Sequence, residues 1–287
     1  MDSFTTEEGS HSLSDKHKLY TKTWKPKSPP KALALFVHGF SDHINRFSDF
    51  MNTLASRGIE VHGFDQRGWG RSVTTKSERG LTGSTATVMS DITSMLQPLI
   101  LLAQGSGVPL FLLGHSMGGG EVLYYAATGP EEVRKQIRGY LALAPYLTLH
   151  PASQPSRALV VAGRVALKVL PRYQMLQKLK PDNLSRDPEV AKSWEADELC
   201  HNIGTLEGLG GMIDRGEELD NGKAVVKEGN IYIAHGSNDL ITNHGASKRF
   251  FERLKVRDKT FKSYDGWYHV CEYNAANYAG EIVLIKR

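Results

Sequence analysis

Six short apolar runs recur along the chain: ALALFV (32–37), IEVHGF (59–64), PLFLLG (109–114), YLALA (140–144), NIYIAH (230–235) and TFKSYD (260–265). Runs this short, apolar or nearly so at every position, suit strands buried on both faces. Strands of that kind separated by helical crossovers form a parallel sheet. The stretches 46–57, 87–103, 117–128 and 242–254 read as the helices between them, and 13–26 alternates enough for an antiparallel edge hairpin. The expected class is therefore α/β, a mostly parallel central sheet flanked by helices. The rhythm breaks after Pro145. Residues 146–225, with proline early and charge and glycine later, read as a mainly helical cap inserted between core segments 1–145 and 226–287.

Hydrophobic residues make up 40% of the 287 and charged ones 23%, enough to fill one large core. A net charge of +4, with no basic run interleaved with aromatics, argues against a nucleic-acid partner. The polar start MDSFTTEEGS does not read as a secretory signal, and no apolar run approaches the roughly 17–25 residues of a membrane span. Two cysteines, Cys200 and Cys271, make no disulfide framework and point to a cytoplasmic setting, where the Asn183-Leu184-Ser185 sequon is idle. Cys200-His201 and His269-Val270-Cys271 do not give four ligands at zinc spacing, so neither metal nor cofactor is expected. Cys200 reads as buried and inert, with sensitivity to thiol reagents as the rival reading.

Chemistry concentrates at Gly114-His115-Ser116-Met117-Gly118. This is G-x-S-x-G between a strand and the helix-forming EVLYYAAT, the pattern of a nucleophile elbow. Glycine two residues to either side lets strand and helix pack closely around a serine in a strained conformation. A phosphate-cradling loop is disfavoured, since no G-K-[ST] follows. The serine hydroxyl needs a base and an acid to orient that base. On this architecture the order is Ser, then Asp or Glu, then His. Of the later histidines, His150 and His201 fall in the insertion, His235 reads as a structural turn partner, and His244 reads as a satisfied residue at a helix start. His269, in YDGWYHV after the last strand, is the candidate base, and Asp239, in HGSNDLIT after the penultimate strand, the candidate acid; Asp265 is the rival. The oxyanion donors expected are the backbone N–H groups of Met117 and Phe40. Asp65 reads as the anchor of a structural loop through an Asp–Arg contact, not as a second catalytic carboxylate.

Taken in order, HGF, DQRGWGRS, GHSMGGG, HGSNDLIT and YDGWYHV resemble the monoacylglycerol lipases, the fungal ones in particular, over nearly the whole length. The resemblance implies an α/β-hydrolase with a mobile cap that cleaves monoacylglycerol to fatty acid and glycerol. It carries the triad roles to Ser116, Asp239 and His269, and the oxyanion hole to Phe40 and Met117. HGFSDHINRF is similar to the family's HG-x-G-E-H-x-x-R-[YF], which puts Arg46 near the glycerol end. NLSRDPEV looks like the cap segment that brings Glu189 towards the same polar pocket. Ser41-Asp42 departs from the family's Gly-Glu, and SWEADEL from its tyrosine and D-P-L. The tail CEYNAANYAGEIVLIKR lacks the expected long amphipathic closing helix. A lysophospholipase or general carboxylesterase would share fold and triad. A hydrolase-like binding protein without turnover would be expected to lack a triad member.

Within the cap, SRALVVAGRVALKVL (156–170) gathers Arg157, Arg164 and Lys168 into an arc of roughly 40° at helical pitch, with apolar or small residues elsewhere. From Pro151 to Pro181 there are six basic residues and no acidic one. Such a helix suits lying on a membrane or lipid-droplet surface, with Leu159, Val160 and Leu167 as the contacts and the protein peripherally attached. The other reading is a cap helix packed wholly on the core.

Overall fold

The computed structural model describes residues 3–269; Cys271 and the closing segment weighed above lie outside the described residues. Ten strands occur among those residues: β1 (Phe4–Ser12), β2 (Lys18–Pro26), β3 (Ala32–Val37), β4 (Ile59–Phe64), β5 (Leu110–His115), β6 (Ile137–Leu143), β7 (Gln174–Leu176), β8 (Ile203–Thr205), β9 (Ile231–Gly236) and β10 (Lys259–Tyr264). The α-helices are α1 (Ser48–Ser56), α2 (Thr85–Ser106), α3 (Met117–Thr128), α4 (Glu131–Arg134), α5 (Arg157–Leu167), α6 (Pro188–Glu195), α7 (Leu206–Asp220) and α8 (His244–Arg253). Eight strands form one sheet in the order β1-β2-β4-β3-β5-β6-β9-β10, antiparallel at the β1 edge and parallel from β4 onward.

The near-continuous apolar runs are explained by burial on both faces. Leu33, Leu35 and Val37 of β3, Leu110 and Leu112 of β5, and Ile231 and Ile233 of β9 face a core shared with α2, α3 and α8. The alternate residues Ala34 and Phe36, Phe111 and Leu113, and Tyr232 and Ala234 face the other core, closed by Phe50, Met51 and Leu54 of α1. Because the sheet is parallel here, the carboxyl ends of β3, β5, β9 and β10 lie along one rim, where the loops carrying Phe40, Ser116, Asp239 and His269 emerge.

Two expectations need correction. The edge hairpin does not lie within 13–26. Its first arm is β1, paired from Phe4↔Pro26 to Ser12↔Lys18. Residues 5–10 are exposed, so no core imposes an apolar alternation that a reader could detect. The chain also does contain a helix long and apolar enough to cross a membrane, the 22-residue α2. In this fold one face of α2, with Val88, Ile92, Met95, Leu96 and Leu99, packs against the sheet, while Leu101 and Leu102 are exposed.

Between β6 and β9 lies the cap: α5, the small β7–β8 pair, α6, and α7. The last of these returns to the core, where Leu219 is buried and Arg215 pairs with Glu121 of α3 at 2.9 Å.

Candidate active site

β5 ends at His115 and α3 starts at Met117, so Ser116 alone makes the turn, with φ 56° and ψ −118°. A non-glycine residue held there stores about 1–3 kcal/mol of strain and persists only where its surroundings fix it. They do: the Ser116 N–H donates to the Leu143 carbonyl (2.9 Å), and its own carbonyl accepts from Gly120 (3.0 Å) and Tyr146 (2.8 Å). The flanking glycines have a steric reason. A Cβ on Gly114 would strike the Gly118 carbonyl, one on Gly118 would strike the Val37 carbonyl, and one on Gly39 would press on the Ser116 side chain.

The Ser116 hydroxyl lies 2.9 Å from His269 Nε2, and His269 Nδ1 lies 2.7 Å from Asp239 Oδ2. All three residues are buried. Asp239 Oδ1 accepts from the backbone N–H groups of Ile241 (2.7 Å) and Thr242 (2.9 Å), and Oδ2 accepts from the Thr242 hydroxyl (2.8 Å). Burial opposes the charge on Asp239. The facing His269 and the hydrogen bonds from His235 and His269 outweigh it and hold the carboxyl well below its usual range. The rival Asp265 is exposed and accepts from Ser237 instead. His235, read as a structural turn partner, also reaches the Asp239 carboxylate, 3.1 Å from Oδ2.

Met117 is the first residue of α3, so its N–H has no intrahelical acceptor. Phe40 follows Gly39 in the β3 loop, which closes over Ser116. That loop is pinned by His38. Its Nε2 accepts from the Gln66 N–H and its Nδ1 donates to the Gly39 carbonyl, both at 2.8 Å, while the Gln66 amide donates to the His38 carbonyl. Ser41, where the resembled family has glycine, takes φ 55°. Its hydroxyl accepts from the Asn202 N–H (2.8 Å), and its carbonyl accepts from the Trp194 indole (3.2 Å). His43 Nε2 lies 2.9 Å from Asp197. The loop after β3 and the cap segment 194–202 are thus tied at several points, a feature the sequence reading missed.

Above Ser116 remains a cavity of about 20 Å³, bounded by Phe40, Arg46, Leu179, Leu184, Val190 and Trp194. It has room for little more than one water molecule. Arg46 lines it, between Asp42 (3.5 Å) and Asp197 (3.8 Å). Glu189 does not. It sits in the exposed first turn of α6, where a carboxylate complements the helix dipole, and pairs with Lys192 at 2.8 Å. The inward face of α6 is Val190, Ala191 and Trp194, legible from their helical spacing.

The α5 residues divide. Leu159 is 53% exposed, as predicted, but Val160 and Leu167 are half-buried, and Leu167 packs against Gly210 of α7. The outward apolar residues are instead Val161, Val165, Val169, Leu170 and Tyr173, each at least 54% exposed. Arg164 is tied to Asp214 (2.9 Å) and Glu217 (2.8 Å) of α7.

Asp65 is structural, though its partner differs from the expected side chain: it accepts from the backbone N–H groups of Ile44 and Arg71, while Arg67 pairs with Asp91 and Asp15. His201 stacks on Trp69, with ring centroids 4.8 Å apart. Cys200 is buried, and burial pushes its thiol up, away from the reactive thiolate. It lies with His43 and Asp197, their donor atoms within 4.8 Å of one another. Arg46 already brings a positive charge to that group.

A family model described as Hydrolase_4, serine aminopeptidase S33, matches residues 28–273. A Schizosaccharomyces pombe protein is 36% identical over 257 residues, covering 88% of this chain and 65% of the relative, so the chain spans just under two thirds of that relative's length. Among solved structures, a soluble variant of monoglyceride lipase from Saccharomyces cerevisiae, in complex with a substrate analogue, superposes with a TM-score of 0.89. It is 23% identical, covering 99% of this chain and 96% of that one. The Paleococcus ferrophilus monoacylglycerol lipase gives 0.79 at 28% identity, covering 93% and 99%.

Proposed function

Because the chain belongs to the Hydrolase_4 (serine aminopeptidase, S33) family, we propose that it is a serine hydrolase that cleaves monoacylglycerol to free fatty acid and glycerol through an acyl-serine. The observation that carries this reading is the unbroken line from the Ser116 hydroxyl through His269 to Asp239, at 2.9 and 2.7 Å. Ser116 attacks the ester carbonyl as His269 Nε2 takes its proton. Asp239 fixes the tautomer by accepting from Nδ1 and stabilises the imidazolium that forms. The N–H groups of Met117 and Phe40 receive the oxyanion. His269 then gives the proton to the departing glycerol oxygen, and water, deprotonated by the same imidazole, releases the acid.

Support for the substrate comes from the two solved lipases and from the cavity lining, apolar at Leu179, Leu184 and Val190 and polar at Asp42 and Arg46. The same reading assigns the outward apolar residues of α5 and the following turn, flanked by exposed Lys168 and Arg172, to a membrane or lipid-droplet surface. The deciding experiment is a substrate panel of monoacylglycerols, diacylglycerol, lysophosphatidylcholine, nitrophenyl esters and an amino-acid arylamide. Monoacylglycerol should give the highest kcat/KM, and Ser116→Ala should lower it by about 10⁵–10⁶-fold. A preference for lysophosphatidylcholine or the arylamide would replace the proposed substrate. Unchanged turnover by Ser116→Ala would end the mechanism.

A further inference from the structure

The acid of the proposed line is shared by two imidazoles. His235, the penultimate residue of β9, is completely buried and has both ring nitrogens engaged: Nδ1 lies 2.9 Å from the Ser247 hydroxyl of α8, and Nε2 lies 3.1 Å from Asp239 Oδ2. An ionised carboxylate only accepts, so Nε2 carries the hydrogen, and Nδ1 is the atom that can accept from the Ser247 hydroxyl. Ser247, itself fully buried, thereby fixes the tautomer. Asp239 is oversubscribed. Two backbone N–H groups reach Oδ1, and His269, Thr242 and His235 all reach Oδ2, against about four lone-pair sites on a carboxylate.

We propose that His235 is a positioning residue for the reaction: by donating to the oxygen that faces His269, it limits how strongly Asp239 holds a proton on the base. The inference rests on the roles proposed above for Asp239 and His269. Each hydrogen bond to that oxygen withdraws charge from it. The His235 donor therefore favours release of the proton that His269 must hand to the leaving group. The other titratable and charged groups around this cluster are His115 of β5, whose ring lies 4.8 Å from that of His269, and His244 of α8, 5.4 Å from that of His235, with Lys248 beyond it. The hydrogen bonds shown to the Asp239 carboxylate come from Ile241, Thr242, His235 and His269.

Two near-isosteric substitutions separate donation from packing. In His235→Gln the side-chain amide can occupy the place of Nε2–H and keep the bond to Asp239. In His235→Asn the amide reaches only the place of Nδ1, on the Ser247 side. The measurement is the pH profile of kcat/KM on a nitrophenyl ester, with fluorophosphonate labelling of each protein. His235→Asn should move the acidic limb upward by about one pH unit, while His235→Gln stays near the parent. Ser247→Ala, which leaves the imidazole in place and frees its tautomer, should move the limb in the same direction by less, and it serves should His235→Asn fail to fold. Superimposable profiles for all three variants would overturn the inference, as would equal activity losses with an unmoved limb. Failure of a parent protein to be labelled at Ser116 would instead strike the proposed mechanism itself.

Discussion

At the scale of single residues, the members of the Ser116–His269–Asp239 line were legible because each sits in a local pattern whose backbone demands are strict. A strand, a lone residue at positive φ and a helix force G-x-S-x-G. By contrast, His235 was read as a turn partner and His38 was not singled out, because nothing in HGF or HGS reveals which way an embedded imidazole points. His38 shows what such a residue does. Burial holds it neutral, with its pKa lowered to about 3, although the bond to the Gly39 carbonyl pulls the other way. The unfolded chain takes up that proton near 6.5 and the folded one does not. The stability tied to neutral His38 is therefore complete above 6.5 and is lost as pH falls from there towards 3. In His38→Asn that contribution is absent. The unfolding free energy, measured by urea denaturation between pH 7 and 5, should fall less steeply than in the parent, by up to about 1.4 kcal/mol per pH unit. Parallel slopes would show that His38 is solvated or already charged. The same variant should lower kcat more than it raises KM, since the Gly39–Phe40 backbone loses its anchor.

At the scale of elements, strands buried on both faces were read to within three residues at either end, because two cores dictate apolar residues at every position. β1 was missed for the opposite reason, since its outward-facing polar residues answer to no core. β7 and β8, three residues each, are too short to carry a period. α5 was legible as an amphipathic helix, but its inner stripe was not. Nothing in the sequence says that α7 lies beneath it, and only that neighbour turns Val160 and Leu167 inward. The corrected stripe changes the membrane prediction. Leu159, Val165 and Val169 changed together to serine should reduce co-flotation with liposomes at least tenfold, by the loss of about 1 kcal/mol or more of apolar burial per side chain. Val160→Ser with Leu167→Ser should instead lower the thermal midpoint and leave flotation close to the parent. Flotation unaffected by the outer triple substitution would remove α5 from the interface.

At the scale of the whole molecule, the sheet and the cap impose opposing demands on one site. The sheet rim holds Ser116, His269 and Asp239 in a buried line, and the cap lies so closely over Ser116 that the cavity there is about 20 Å³. Sites for ligands the size of a monoacylglycerol are on the order of 300–1,000 Å³. For a fatty acyl chain to reach Ser116 through the cap, the roof of Leu179, Leu184, Val190 and Trp194 must move. The ties that resist such movement are scattered side-chain contacts, among them Ser41 to Asn202 and Trp194, His43 and Arg46 to Asp197, Gln174 and Thr205 to the 76–80 loop, the His201–Trp69 stack, and one small apolar cluster of Leu184, Trp194 and Cys200 with Ile241. The sheet, by comparison, is held by continuous ladders and two hydrophobic cores. Local opening free energies follow that difference. Amide hydrogen exchange should therefore be at least about 100-fold faster in residues 174–205 than in β3, β5 and β9. Covalent modification of Ser116 by a long-chain alkyl phosphonate should change exchange in 174–205 while leaving the strands as they were. Ser41→Gly, which removes one tie and suits the positive φ, should speed cap exchange without lowering global stability. Exchange in the cap as slow as in β5 would mean that cap and core open only together, and the substrate would then need a route other than through this roof.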